Sequence, residues 1–361
     1  MNRRKFITRS VQASALTAVP VGTIFAQENT IKPIQSNVIL PKKLKKGAKV
    51  GLIAPGYALS DKALQNAITN VKAMGYEPFY TSRISGNYGY FSNTDIARVE
   101  DIHEMFLNPA IDAIFCARGG YGCTRILKDI NFDYIQQNPK ILLGFSDITA
   151  LVNSIYQKTG IVTFHGPVGT TLDNQFNRTQ LERIIEHTNN SIQLATETFP
   201  ASKTLADSTF ENYVITSGTA TGKLVGGNLS LLSAMTGTDF DVDYTDKIVF
   251  IEEIDEDPYR VDRMLTQLLD SKTFKHAKGI VLGVFKGCDD PKRANSFSLK
   301  EVILDRLKPM NIPSPFEGLE IEKELVCEFF AVFSRLEFSL KELDYSRNER
   351  GVVSPAWRRF W

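Results

Sequence analysis

The amino-acid sequence predicts an α/β protein: an N-terminal, mostly parallel sheet with flanking helices, followed by a smaller C-terminal α/β domain. Three observations carry that expectation. From Lys49 onward, short apolar runs alternate with stretches of helical spacing. Runs close at turn-forming residues, as at Pro55-Gly56 and Gly144. The alternation fades after Pro167 and new apolar runs begin near Thr219. Strands alternating with helices form parallel sheets covered on both faces, and such sheets take ligands beyond the carboxyl ends of their strands.

The elements can be read in order. Lys49 to Gly56 is an apolar strand ended by Pro55-Gly56, and Leu64, Ile68, Val71 and Met74 then fall on one helical face before Gly75. Tyr76 to Tyr80 gives a short strand, Ile96 to Phe106 a helix, Ile111 to Ala117 a third strand and Ile141 to Leu143 a fourth. A helical pattern starting at Ser146 places Leu151, Val152 and Ile155 together. Residues 47–168 are therefore read as one domain, and 169–218 as a polar connection holding a helix around Leu181 to His187. The second domain spans 219–321, with apolar strands at Lys247 to Ile254 and Gly279 to Phe285, and 322–361 is an atypical tail.

Ahead of these elements lies an address. Arg3-Arg4 precede an uncharged, moderately apolar stretch ending in Ile24-Phe25-Ala26, the pattern of a Tat-type export signal over residues 1–26. Residues 27–46 read as a flexible leader, and export to the periplasm is the expectation. The apolar stretch is interrupted and too short for stable membrane insertion.

Composition narrows the partners. The chain has 361 residues, 43% of them apolar and 23% charged, which suffices for one large or two ordinary domains. Its formal net charge of +1 provides no basic field for nucleic acid, so the partner is expected to be a small molecule. Cys116, Cys123, Cys288 and Cys327 show no CxxC spacing and His103, His165, His187 and His276 no HxxxH pair, so no metal is expected.

Three loops at predicted strand ends carry residues suited to chemistry. In Lys140 to Thr149 a strand stops at Gly144 and a helix begins near Ser146. A sharp strand-to-helix turn can expose a serine nucleophile, yet serine is equally a common helix cap, and both readings stand. Arg118-Gly-Gly-Tyr-Gly122 can turn successive N–H groups into one concavity, as an oxyanion hole or a phosphate nest requires, or can be a plain turn. Glu252 ends an apolar strand where function is often found, although Glu252 or Glu253 could simply pair with Arg260 or Arg263. His276 reads as a helix-end histidine.

Taken together, Ala54-Pro55-Gly56, Arg118-Gly-Gly-Tyr-Gly122, Gly144-Phe-Ser-Asp147, Gly226-Gly-Asn-Leu229 and Glu252 to Arg263 resemble the LD-carboxypeptidases, or murein tetrapeptide carboxypeptidases, relatives of the microcin C self-immunity peptidases. The resemblance runs from Val50 to about Leu319. It implies a Ser-Glu-His triad between two domains, removal of the terminal D-Ala from a peptidoglycan tetrapeptide, and no cofactor. By position, Ser146 is the nucleophile, Glu252 orients the histidine, and the N–H groups of Asp147 and Gly120 form the oxyanion hole. Arg118 and Arg260 are the nearest cations for the substrate's carboxylates. A homodimer stays open.

One part departs. The family histidine follows a Gly-Leu-x-x-Gly turn, whereas Gly318-Leu-Glu-Ile-Glu-Lys-Glu324 puts Glu322 at the glycine and Lys323 at the histidine. The family's later Leu-Pro-x-Gly turn is absent as well. An abrupt loss of pattern is what a shifted reading frame or decayed tail produces; a divergent C-terminus is the alternative. The expectation is an LD-carboxypeptidase by descent with impaired hydrolysis, or a non-catalytic muropeptide-binding pseudoenzyme.

Overall fold

Five parallel strands form the first sheet, in the order β2-β1-β3-β4-β5. They are β1 (Lys49–Ile53), β2 (Glu77–Phe79), β3 (Ala113–Cys116), β4 (Ile141–Gly144) and β5 (Phe164–His165). The computed structural model describes residues 38–186, 214–218, 220–289 and 295–314, with the backbone alone at 319–321 and 338–340. The export signal, His187, Cys327 and Lys323 lie outside the described residues. Among the described residues, no helix is long and apolar enough to cross a membrane.

The helices start where the sequence provides caps. Ser60 accepts from Ala63 N at 3.2 Å to open helix Asp61–Ala73, which buries Leu64, Ile68 and Val71. Thr94 does the same for helix Asp95–Leu107, whose Val99, Ile102, Met105 and Phe106 enter the core. Helix Thr149–Thr159 is buried almost all round and stops at Gly160, whose φ of 78° suits a left-handed C-terminal residue. An all-round apolar helix belongs between layers. This one packs on both β4 and β6 (Lys223–Asn228), so it joins the first sheet to the second.

Helix Gln175–Ile185, within the stretch read as a connection, is anchored to the first sheet's side of the molecule. Leu181, Ile184 and Ile185 are buried in the same cluster as Val50 and Leu52, and Leu44 N donates to Ile185 O at 2.8 Å. The second sheet is also parallel, in the order β6-β7-β8, with β7 at Lys247–Ile254 and β8 at Gly279–Lys286. Helices Leu229–Met235, Pro258–Leu269 and Leu299–Leu307 accompany it. Beyond it, β9 (Leu319–Ile321) and β10 (Phe338–Leu340) pair antiparallel. Cys116, Cys123 and Cys288 are buried free thiols.

Candidate functional site

The first sheet reverses its strand order between β1 and β3, a topological switch point of the kind that leaves a crevice at the strand ends. The loops after β1, β3 and β4 all open there. Ser146 lies two residues beyond β4, partly exposed, in a 3-10 turn (Ser146–Ile148) that leads into helix Thr149–Thr159. Its φ of 62° is left-handed, uncommon for a serine and strained. No side-chain cap opens either the 3-10 turn or the helix, so the capping alternative is not the role that Ser146 takes.

The glycine loop lies against it. A Cβ added to Gly119 would sit 3.0 Å from Ser146 Cβ and 3.3 Å from Ser146 Oγ, so Gly119 borders the hydroxyl directly. Gly120 and Gly122 take φ of 99° and 143°. A Cβ on Gly56 would come within 2.0 Å of Gly120 O, which ties the Ala54-Pro55-Gly56 turn to the same concavity. Asp147 points inward: its Oδ2 accepts Cys123 N at 2.7 Å and fixes the end of the glycine loop to the serine turn. Burial pushes the Asp147 carboxyl up, against the lowering effect of that hydrogen bond. Arg118 donates to Ala58 O at 2.8 Å and to Gly119 O at 3.2 Å, and its guanidinium lies over the Tyr57 ring.

From the second sheet comes Glu252, opposite Asn228 in the β6-β7 register and 3% exposed. The β7-β8 ladder shifts register between Ile251 and Glu253, an irregularity of the kind that re-aims a side chain. Among the described residues, neither Glu252 oxygen has a hydrogen-bond partner. The expected alternative of an ion pair with Arg260 or Arg263 is corrected on this point. Arg260 sits on the exposed first turn of helix Pro258–Leu269 and pairs with Glu256 at 3.3 Å and Tyr259 at 3.1 Å. Glu253 is satisfied differently, accepting from Asn228 Nδ2, Ser230 N, Ser230 Oγ and Ile254 N.

The nearest titratable neighbour of Glu252 across the sheets is His165, at the end of β5 opposite Gly144. Its Nε2 lies 3.8 Å from Glu252 Oε1, too long for a hydrogen bond. Thr149 Oγ1 accepts Asn228 N at 3.0 Å and lies 3.5 Å from His165 Nδ1. The threonine hydroxyl can serve Nδ1 as donor or as acceptor, and Nε2 is the ring nitrogen that faces the carboxylate. Burial drives His165 down to about 3, so the ring is neutral at physiological pH. Glu252 is pushed well above the ordinary carboxyl range by burial first and the Glu253 charge second, with nearby Asn228 opposing.

Two glycines make this junction possible. Gly226 and Gly227 adopt φ of 123° and 136°. A Cβ on Gly227 would meet Thr149 Oγ1 at 2.6 Å and His165 Nδ1 at 2.9 Å. Asn153 completes the seam, donating to Gly226 O at 2.9 Å and accepting Gly226 N at 3.3 Å. The sequence reading took in Gly119 and Thr149 only as members of longer stretches and passed over Asn153; the Gly226-Gly-Asn228 motif alone marked the contact.

A buried carboxylate whose one nearby donor, the Asn228 amide, bonds Glu253 at 2.9 Å lowers stability. Burial raises the Glu252 pKa in the folded chain above the ordinary value of 4.5 that holds in the unfolded chain, so this group's contribution to stability falls as pH rises above that value. Glu252→Gln is accordingly expected to raise stability at pH 7 by on the order of 1–3 kcal/mol, with the gain vanishing below about pH 4. Urea unfolding of both chains across pH checks this. A loss of stability would mean that a cation outside the described residues meets the carboxylate.

Comparison with known proteins agrees with this architecture. Residues 50–166 match the LD-carboxypeptidase N-terminal domain, and residues 221–318 match the LD-carboxypeptidase C-terminal domain. The chain belongs to the LD-carboxypeptidase family of serine peptidases. The "Probable murein peptide carboxypeptidase" of Bacillus subtilis is 38% identical over 73% of this chain and 81% of its own length. The murein tetrapeptide carboxypeptidase of Pseudomonas aeruginosa is 31% identical over 73% and 85%. Among solved structures, an MccF-like protein from Bacillus anthracis superposes with a TM-score of 0.66 at 28% identity, covering 84% of this chain and 99% of that one. The family match ends at residue 318, five positions before Lys323.

Proposed function

We propose that this chain carries the site of a serine LD-carboxypeptidase that removes the terminal D-Ala from peptidoglycan tetrapeptides, and that its hydrolysis is impaired because Lys323 occupies the family's histidine position. The observation carrying the proposal is a left-handed serine at the strand-to-helix turn, bordered by a glycine loop and joined through Thr149 and His165 to a buried carboxylate on the second sheet. Ser146 Oγ attacks the peptide carbonyl, and the N–H groups of Asp147 and Gly120 stabilise the oxyanion. Glu252 is the carboxylate that would hold and orient an imidazole. Lys323 favours the second reading, a muropeptide-binding pseudoenzyme that keeps the cleft. We also propose export to the periplasm, on the twin-arginine leader.

Arg118 opens the glycine loop that borders Ser146, and we assign it a substrate carboxylate. Arg260, exposed on the neighbouring domain, is the candidate for the acidic stem. Titration calorimetry with a diaminopimelate tetrapeptide is expected to show binding to the unmodified chain and at least roughly tenfold weaker binding to Arg118→Ala, the effect of losing a charge-assisted contact. Unchanged affinity would leave Arg118 with only its loop contacts to Ala58 and Gly119.

A further inference from the structure

Beside Ser146 the structure holds a surface that the proposed chemistry does not use. Tyr57 follows β1, Tyr121 follows β3, and Tyr88 and Tyr90 lie on the loop before helix Asp95–Leu107. Their exposures are 36%, 45%, 56% and 57% respectively. Tyr90 is central, with ring centroids 5.7 Å from Tyr57, 6.2 Å from Tyr121 and 4.4 Å from Phe91. Phe91 is buried beneath, with the guanidinium groups of Arg98 and Arg125 4.5 and 5.0 Å from its ring centroid.

The loops beneath the rings are tied together. Arg98 donates to Pro55 O and Gly122 O and pairs with Asp95, Ala58 N donates to Tyr90 O at 2.9 Å, and Ser92 N donates to Gly56 O at 3.0 Å. Exposed aromatics held this firmly lose little conformational freedom when a ligand lands on them. The surface is also continuous with the serine. A Cβ on Gly120 would meet the Tyr57 ring at 2.7 Å, one residue from the Gly119 contact with Ser146. Both Tyr57 and Tyr121 rise from the β1/β3 switch point.

We propose that these tyrosines form a glycan subsite, which binds the amino-sugar part of a muropeptide while its peptide stem reaches Ser146; this rests on the muropeptide reading above. On these three loops every large exposed hydrophobic residue is a tyrosine. A tyrosine offers an apolar ring face and a hydroxyl at its edge. A pyranose offers the match, an apolar C–H face ringed by hydroxyl and acetamido groups. An apolar peptide or lipid would instead call for large exposed aliphatic side chains, and Leu59, the large aliphatic residue after β1, is buried.

Titration calorimetry with two ligands tests the subsite: a free diaminopimelate tetrapeptide, and the same tetrapeptide on its N-acetylglucosaminyl-N-acetylmuramoyl disaccharide. The unmodified chain is expected to bind the glycan-bearing form roughly tenfold more tightly, as a pair of aromatic contacts supplies. Tyr90→Ala and Tyr121→Ala, made separately, should each lose most of that preference and leave free-tetrapeptide affinity unchanged, while Tyr90→Phe should keep it. Equal affinity of the unmodified chain for the two ligands, or a preference that survives both alanine variants, overturns the subsite and leaves the muropeptide reading standing if the free tetrapeptide binds. Failure of both ligands to bind overturns both.

Discussion

Replacing Glu322 and Lys323 by Gly and His (Glu322→Gly, Lys323→His), together with a family-like C-terminal tail, is expected to raise D-Ala release from a diaminopimelate tetrapeptide by roughly 10³-fold or more. A serine hydroxyl is a poor nucleophile until a base removes its proton. Lysine performs that task on other folds only when its pKa falls from ~10.4 toward 7. In this sequence Glu322 and Glu324 flank Lys323, and Glu252 is the carboxylate assigned to the base. Neighbouring carboxylates favour the charged ammonium, and a charged ammonium cannot accept the serine's proton. The oxyanion donors and the binding surface still contribute without a base. The graft therefore restores one missing part. Release that stays flat in a folded graft would show that another part of the machinery is missing.

Gly226→Ala is expected to destabilise the fold by on the order of 3–5 kcal/mol, a large share of a domain's typical stability. Two costs combine. The residue's φ of 123° is closed to alanine without strain, and the added Cβ would lie 2.0 Å from Phe250 O, a backbone atom that cannot swing aside. Gly237→Ala provides the control, since its φ of 79° is also left-handed but no atom lies within 4 Å of the added carbon. Only strain remains there, about 1 kcal/mol. Urea unfolding separates the two variants, and equal losses would remove the steric account of the seam.

How far the sequence could be read depends on the residue. Four of the first sheet's five strands and the helices Asp61–Ala73 and Asp95–Leu107 were visible from apolar spacing, whereas the two-residue β5 is too short to show a pattern. The strand β6 was harder, since two adjacent glycines argue against a strand by propensity. Their purpose is close approach to Thr149, His165 and Phe250, which no local pattern encodes. Ser146 was legible as a residue at a turn, but its left-handed backbone, which excludes the cap reading, comes from tertiary packing. The alternative of Glu252 pairing with Arg260 or Arg263 arose because those arginines are near in sequence. The strand sends the carboxylate into the interior, and the helix starting at Pro258 carries Arg260 out to solvent. No local motif marks His165, and its place opposite Glu252 needed both sheets.

The most direct test is D-Ala release by the purified, unmodified chain, measured beside Ser146→Ala and Glu252→Gln. Impaired hydrolysis predicts faint turnover from the unmodified chain, at most about 10³–10⁴ over water, with the variants differing little from it. Robust release that Ser146→Ala abolishes would contradict it and show that a base other than the family histidine operates, with His165→Gln the next variant to make.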